Sequence, residues 1–181
     1  SDLEGRIAGI IDAGPVRVGL ESTVLDLSGE HPVLLRPGGI SLEQLTEVLG
    51  EITTHSTDQP IEVARSPGMK YRHYAPQGQL VLIEGDADTR KAYIENRIVQ
   101  SPTTRFAVLT RRSQWQPVGA EVLFLGESED EIARHLFDHL RTCDARNIEE
   151  ILVEGLPRTG LGRAIMNRLE KAAHQTLQLY A

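Results

Sequence analysis

From Gln79 onward the chain alternates short apolar runs with stretches of helical period, and this alternation restricts the fold more than any other feature. Leu80–Ile83, Phe106–Leu109, Val122–Leu125 and Ile151–Val153 are apolar at every position and too short to be helices. Such runs belong to strands covered on both faces, as in a parallel sheet sandwiched between helices. Residues 87–99, 128–143 and 162–174 have the spacing of the covering helices. The pattern predicts an α/β fold with a Rossmann-like parallel-sheet domain over residues 79–181.

The first 49 residues follow a different plan. Leu3, Ile7, Ile10 and Ile11 recur at helical spacing, which predicts an amphipathic helix over 2–13 ended by Gly14-Pro15. Residues 22–27 and 32–36 have strand character and are separated by the turn-prone run Ser28–His31. Ser41-Leu42-Glu43-Gln44 has the form of a capping box, and Leu42, Leu45, Val48 and Leu49 continue it as a helix. Two strands and two helices remove too little apolar surface from water to fold alone, since below about 40 residues a core rarely suffices. Residues 1–49 are therefore expected to be an incomplete unit, its strands pairing with a missing amino-terminal half or a swapped copy, or else disordered. Residues 50–78 show no sustained period and are expected to form an ordered interdomain linker.

The net charge of −7 and the pI near 5.4 argue against a protein that coats nucleic acid or a membrane surface. Of the 19 basic residues 16 are arginine, which favours forked contacts with local anions. A single cysteine, Cys143, rules out a disulfide framework and reads as a small buried hydrophobe in a helix. No apolar run reaches transmembrane length and no signal peptide is recognisable, so a reducing, cytoplasmic setting is expected.

Three segments carry the chemistry. Gly19-Leu20-Glu21-Ser22-Thr23-Val24-Leu25-Asp26 places hydroxyls at the mouth of a strand. Leu35-Arg36-Pro37-Gly38-Gly39-Ile40 leads a guanidinium into a turn of small residues where backbone can approach a ligand closely. Ser66–Pro76, S-P-G-M-K-Y-R-H-Y-A-P, sets Lys70, Arg72 and His73 among Tyr71 and Tyr74, with prolines and a glycine shaping the loop. Alone, each has an ordinary structural explanation: a strand cap, a common turn, a solvated basic linker.

In this order the three segments resemble the long, two-domain threonylcarbamoyl-AMP synthases, in which a YrdC-like catalytic domain is joined by a linker to a small C-terminal domain. Gly160–Leu169 looks like the closing helix of that family. The resemblance implies a division into a YrdC-like remnant at 1–49, a linker or lid at 50–78 and a C-terminal domain at 79–181. It also implies a nucleotidyltransferase reaction: L-threonine, bicarbonate and ATP, with Mg2+ expected alongside ATP, give threonylcarbamoyl-AMP and pyrophosphate. The product feeds the N6-threonylcarbamoyladenosine modification, so tRNA is an indirect partner; no membrane is involved. By the same resemblance Ser22 and Thr23 lie at the threonine substrate, Arg36 and Tyr74 meet ATP, and Lys70, Arg72 and His73 are lid residues. Family segments with a Lys-x-Arg pair and a Ser-Ala-Asn motif do not occur here, so no catalytic residue is assigned and the 181 residues are expected to be inactive alone. The competing expectation is a non-catalytic module that docks on tRNA or on a protein.

Weaker signals remain. Gly160-Leu161-Gly162 has part of a dinucleotide fingerprint. His135 and His139 share a helical face, without a third metal ligand in a recognisable motif, and Arg111-Arg112 with Trp115 form a basic and aromatic cluster.

Overall fold

The computed structural model describes residues 5–12, 14, 16–54 and 75–179. The larger sheet has five strands, all parallel: β4 (Gln79–Gly85), β5 (Phe106–Thr110), β6 (Ala120–Phe124), β7 (Glu150–Glu154) and β8 (Gln175–Leu179). Their spatial order is β6-β5-β7-β4-β8. Three of the four apolar runs, in β4, β5 and β7, take the central places, where both faces are covered: α2 (Ala87–Gln100) lies on one side, α3 (Glu129–Ala145) and α4 (Gly162–Ala172) on the other. The fourth, expected to be covered likewise, falls in β6, an edge strand whose residues are half-buried or, at Phe124, exposed. Alternate residues of β4 divide accordingly. Leu80 and Leu82 join Ile132, Leu136, Ile165 and Leu169, while Val81 and Ile83 join Ile94 and Ile98. Each fully buried leucine or isoleucine contributes roughly 1.5–3 kcal/mol, so the covered strands hold the sheet together.

The connections explain this division. The crossover from β4 through α2 to β5 runs toward the β6 edge, and that from β7 through α4 to β8 runs toward the opposite edge. Right-handed crossovers in opposite directions must place their helices on opposite faces. Helix starts are capped locally: Asp86 accepts from Thr89 N at 2.9 Å, and Ser128 with Glu131 forms a full capping box.

A smaller sheet, β1 (Val24–Asp26), β2 (Val33–Arg36) and β3 (Thr53–Thr54), has order β1-β2-β3 and is followed along β2 by α1 (Leu42–Leu49). The capping box expected at Ser41 is present, with Ser41 Oγ accepting from Gln44 N and Gln44 Oε1 from Ser41 N. Among the described apolar residues up to 54, Leu34 alone is buried. β1 and β2 therefore pair with each other in an antiparallel ladder while their apolar neighbours Leu27, Ile40, Val48 and Leu49 stay exposed.

Three expectations change. Residues 5–12 form turns and bends, not a helix: Ile10 is 69% and Ile11 99% exposed, so the periodic face has nothing to pack on and short helices are marginal without packing. The stretch read as linker contains β3, which pairs in parallel with β2 through Val33–Thr53 and Leu34–Thr54. Beyond α4 the chain adds the edge strand β8, beside β4.

Candidate functional site

The two upstream motifs meet at the end of the β1–β2 ladder, where Val24 lies opposite Arg36 at a register shift. Arg36, the last residue of β2, donates from Nε to the Ser22 carbonyl at 3.0 Å. The Thr23 hydroxyl donates to the Ile40 carbonyl at 2.9 Å and accepts from Ile40 N at 3.1 Å, closing the following turn. Gly38 explains the small residues of that turn: a Cβ there would strike Thr23 N and the Glu21 carbonyl. The hydroxyl segment and the Arg-Pro-Gly-Gly segment are thus packed backbone against backbone, with Ser22 exposed at their junction.

The small helical face of the larger sheet grips both segments. Arg168 of α4, only 5% exposed, donates from Nε to Glu21 Oε2 at 2.5 Å and from Nη2 to the Pro37 carbonyl at 3.1 Å. One guanidinium therefore holds the residue before Ser22 and the residue after Arg36. Partial burial pushes the Glu21 carboxyl up, but hydrogen bonds from Arg168 and the backbone, with the Arg168 and Arg36 charges, leave it below the usual carboxylate range. Burial, aided by the Arg168 charge, pulls nearby Lys171 down. Gly19 (φ 72°) lets the chain touch α3, since a Cβ would stand 2.6 Å from Arg134 Cα; Leu20 packs on the core beside it. Arg163 of α4 faces Glu43 of α1 at 3.7 Å.

Ser22, Thr23 and Arg36 are therefore brought together, whereas Lys70, Arg72, His73 and Tyr74 lie outside the described residues. Sequence reasoning missed Arg168 and the part played by Glu21. Their only signal was an arginine on the otherwise apolar face of α4, beside Ile165 and Leu169.

The weaker signals resolve structurally. The glycine turn before α4 holds its own anion, because Gly162 N donates to Glu129 Oε2 at 3.0 Å. His135 Nδ1 and His139 Nε2 each pair with a backbone carbonyl, those of Leu125 and Phe124. Among the described residues no cluster of three or more His, Cys, Asp or Glu could hold a metal ion. No described helix is long and apolar enough to cross a membrane.

A covered parallel sheet whose last helix clamps a Ser-Thr strand mouth to an Arg-Pro-Gly-Gly turn defines a class, and residues 40–174 match the family described as threonylcarbamoyl-AMP synthase, C-terminal domain. The chain belongs to that family. It is 42% identical to the threonylcarbamoyl-AMP synthase of Pyrococcus abyssi over 95% of its own length and 51% of that protein, and 42% identical to the Bacillus subtilis enzyme over 95% and 50%. The crystal structure of P. abyssi Sua5 complexed with L-threonine superposes with a TM-score of 0.88 at 41% identity, covering 97% of this chain and 52% of that one. The chain spans about half the length of these two curated relatives.

Proposed function

We propose that the chain forms part of an L-threonylcarbamoyladenylate synthase acting in the tRNA N6-threonylcarbamoyladenosine modification, in the cytoplasm. The threonine amine takes up bicarbonate as a carbamate with loss of water; a carbamate oxygen then attacks the α-phosphorus of ATP, and pyrophosphate leaves. A labile carbamate must meet the phosphorus in fixed geometry and away from bulk water. The contact that carries this reading is Arg36 Nε on the Ser22 carbonyl at 3.0 Å, which fixes a guanidinium at the backbone of the exposed Ser22. Ser22 binds the threonine substrate; Thr23, its hydroxyl engaged with Ile40, shapes that pocket through the turn. Arg36 and Tyr74 bind the ATP phosphates and nucleotide, and Lys70, Arg72 and His73 belong to a lid in the segment from 50 to 78. The relative solved with L-threonine supports the substrate assignment.

Mg2+ accompanies ATP as part of that substrate. In this reading residues 1–49 are the end of a YrdC-like domain and 79–181 a separate small domain. The exposed Ile10, Ile11, Val48 and Leu49 then pack on the rest of the catalytic domain or on a swapped copy.

Calorimetry with L-threonine and a pyrophosphate-release assay test the proposal. A protein of the relatives' full length should release pyrophosphate only with threonine, bicarbonate and ATP together, and Arg36→Ala or Ser22→Ala should lower kcat/KM by about 100-fold. The 181 residues alone should release none. Full activity in both variants would overturn the site; salt-dependent tRNA binding without any ATP turnover would favour the docking module instead.

A further inference from the structure

β4 and β7 are neighbours whose exits diverge, one toward α2 and the other toward α4. The strand order reverses at that point, and such crevices at the carboxyl ends of parallel strands are where open α/β sheets bind ligands. A crevice of about 840 Å3 lies there, lined by Glu84, Arg90, Arg111, Arg112, Glu127 and Glu154 among others.

Its charges are expensive for a merely structural edge. Glu84 and Glu154 are only 7% and 6% exposed, and burying a carboxylate costs several kcal/mol unless it is paired. Both are paired with arginines that they hold in place. Glu154 accepts from Thr110 Oγ1 at 2.5 Å and Arg112 Nε at 3.2 Å and faces Arg90 Nε at 3.7 Å; Glu84 receives both Nη atoms of Arg158, at 2.5 and 2.9 Å. Backbone carbonyls complete the orientation: Arg90 Nη1 donates to Gly155, Arg112 Nη2 to Ala87 and Arg111 Nη2 to Glu127. The carboxylates are satisfied, whereas Arg111 and Arg112 keep further N–H groups for an acceptor.

A second crevice of about 430 Å3 shares Arg111 and Arg112 and adds Lys91 and Trp115. Arg112 lies over the Trp115 ring at 5.8 Å, and Glu95 fixes the indole through Nε1 at 2.9 Å. Oriented cations beside an oriented aromatic ring match a phosphate carrying a flat base.

We propose that this edge of the sheet is a nucleotide-binding site, with the phosphate on Arg111, Arg112 and Lys91 and the base beside Trp115. The site is suited to a small ligand instead of a nucleic-acid strand, because Glu84, Glu127 and Glu154 stand within it and the chain carries a net charge of −7. This inference is independent of the synthase reading, since neither Ser22 nor Arg36 lines the crevices.

Trp115 is the chain's one tryptophan, so its fluorescence reports on the site directly. Titration of the 181-residue chain with AMP should give a saturable change in emission with a Kd of about 0.1–1 mM. Arg111→Ala, which removes an exposed side chain and leaves Glu154 paired, should weaken binding about tenfold or more, and Arg141→Ala, at an exposed arginine of α3 that lines neither crevice, should leave it unchanged. Calorimetry of the same three chains checks that the signal is binding, and circular dichroism that Arg111→Ala is folded. No saturation by AMP, a response that survives Arg111→Ala, one lost in Arg141→Ala, or a response to tRNA but not AMP would each overturn the proposal. Full pyrophosphate release by Arg36→Ala in a protein of the relatives' full length, with AMP binding intact, would overturn the synthase reading alone.

Discussion

Glu21 and Arg168 are 147 residues apart in sequence and joined by a hydrogen-bonded ion pair of 2.5 Å, Nε to Oε2. The arginine is nearly inaccessible and the carboxylate is not, so removing the arginine strands a partly desolvated anion together with the Pro37 carbonyl. Breaking such a pair from the buried side typically costs about 3 kcal/mol. Arg168→Met should lower stability by that order in urea unfolding. Arg168→Lys should recover less than half, because an ammonium cannot fork onto the carboxylate and the carbonyl together. With Glu21→Gln as the second change, a double-mutant cycle should return a coupling of roughly 1–3 kcal/mol.

Gly38 gives an independent measure of how tightly the two motifs are packed. An added methyl there would meet backbone atoms of Glu21 and Thr23, which cannot swing aside as a side chain can. Gly38→Ala should therefore cost about 2 kcal/mol, as overpacking does. At Gly29 the nearest atom to an added Cβ is 3.9 Å away, so Gly29→Ala should be neutral or slightly stabilising. Thermal melts of the two variants side by side check the contrast.

These two contacts show what was legible in the sequence. β4, β5 and β7 could be read from their apolar runs because burial on both faces dictates residue type directly. β8 could not: it lies on the edge with one neighbour, and Gln175, Thr176 and Gln178 alternate with half-buried leucines. The helical period of Ile7, Ile10 and Ile11 misled because periodicity states what a helix would bury, not whether a surface exists to receive it. The motifs marked out Ser22, Thr23 and Arg36, which the fold brings together, but the Arg168 clamp is a long-range pairing of charged residues and leaves no local pattern.

The Glu84–Arg158 pair should appear in the acid limb of stability. Hydrogen bonds from Arg158 outweigh the burial that pushes the Glu84 carboxyl up, so its folded value falls below the ordinary 4.5. A carboxyl depressed in the folded state binds protons more readily when unfolded. Its contribution is therefore complete above pH 4.5 and is lost as pH falls through the folded value. Urea midpoints should decline on acidification below that pH, and Arg158→Gln should be less stable at neutral pH with a shallower acid decline. An unchanged acid limb would mean that the pair contributes nothing.

Cys143 gives the last expectation, because its chemistry depends on the integrity of the core. The thiol is buried on α3 among Leu136, Leu140 and Ile148, and burial, reinforced by the Asp144 charge, pushes its pKa to about 12. The thiolate is the reactive form, so at pH 8 the folded chain holds almost none of it. Alkylation by iodoacetamide should be at least about 100-fold slower in native buffer than in denaturant, and its residual rate should follow opening of the α3 face. Rapid labelling of native protein, counted by mass spectrometry, would contradict a closed core. Cys143→Ala should cost only about 1 kcal/mol, since it deletes one small side chain from an otherwise filled cluster.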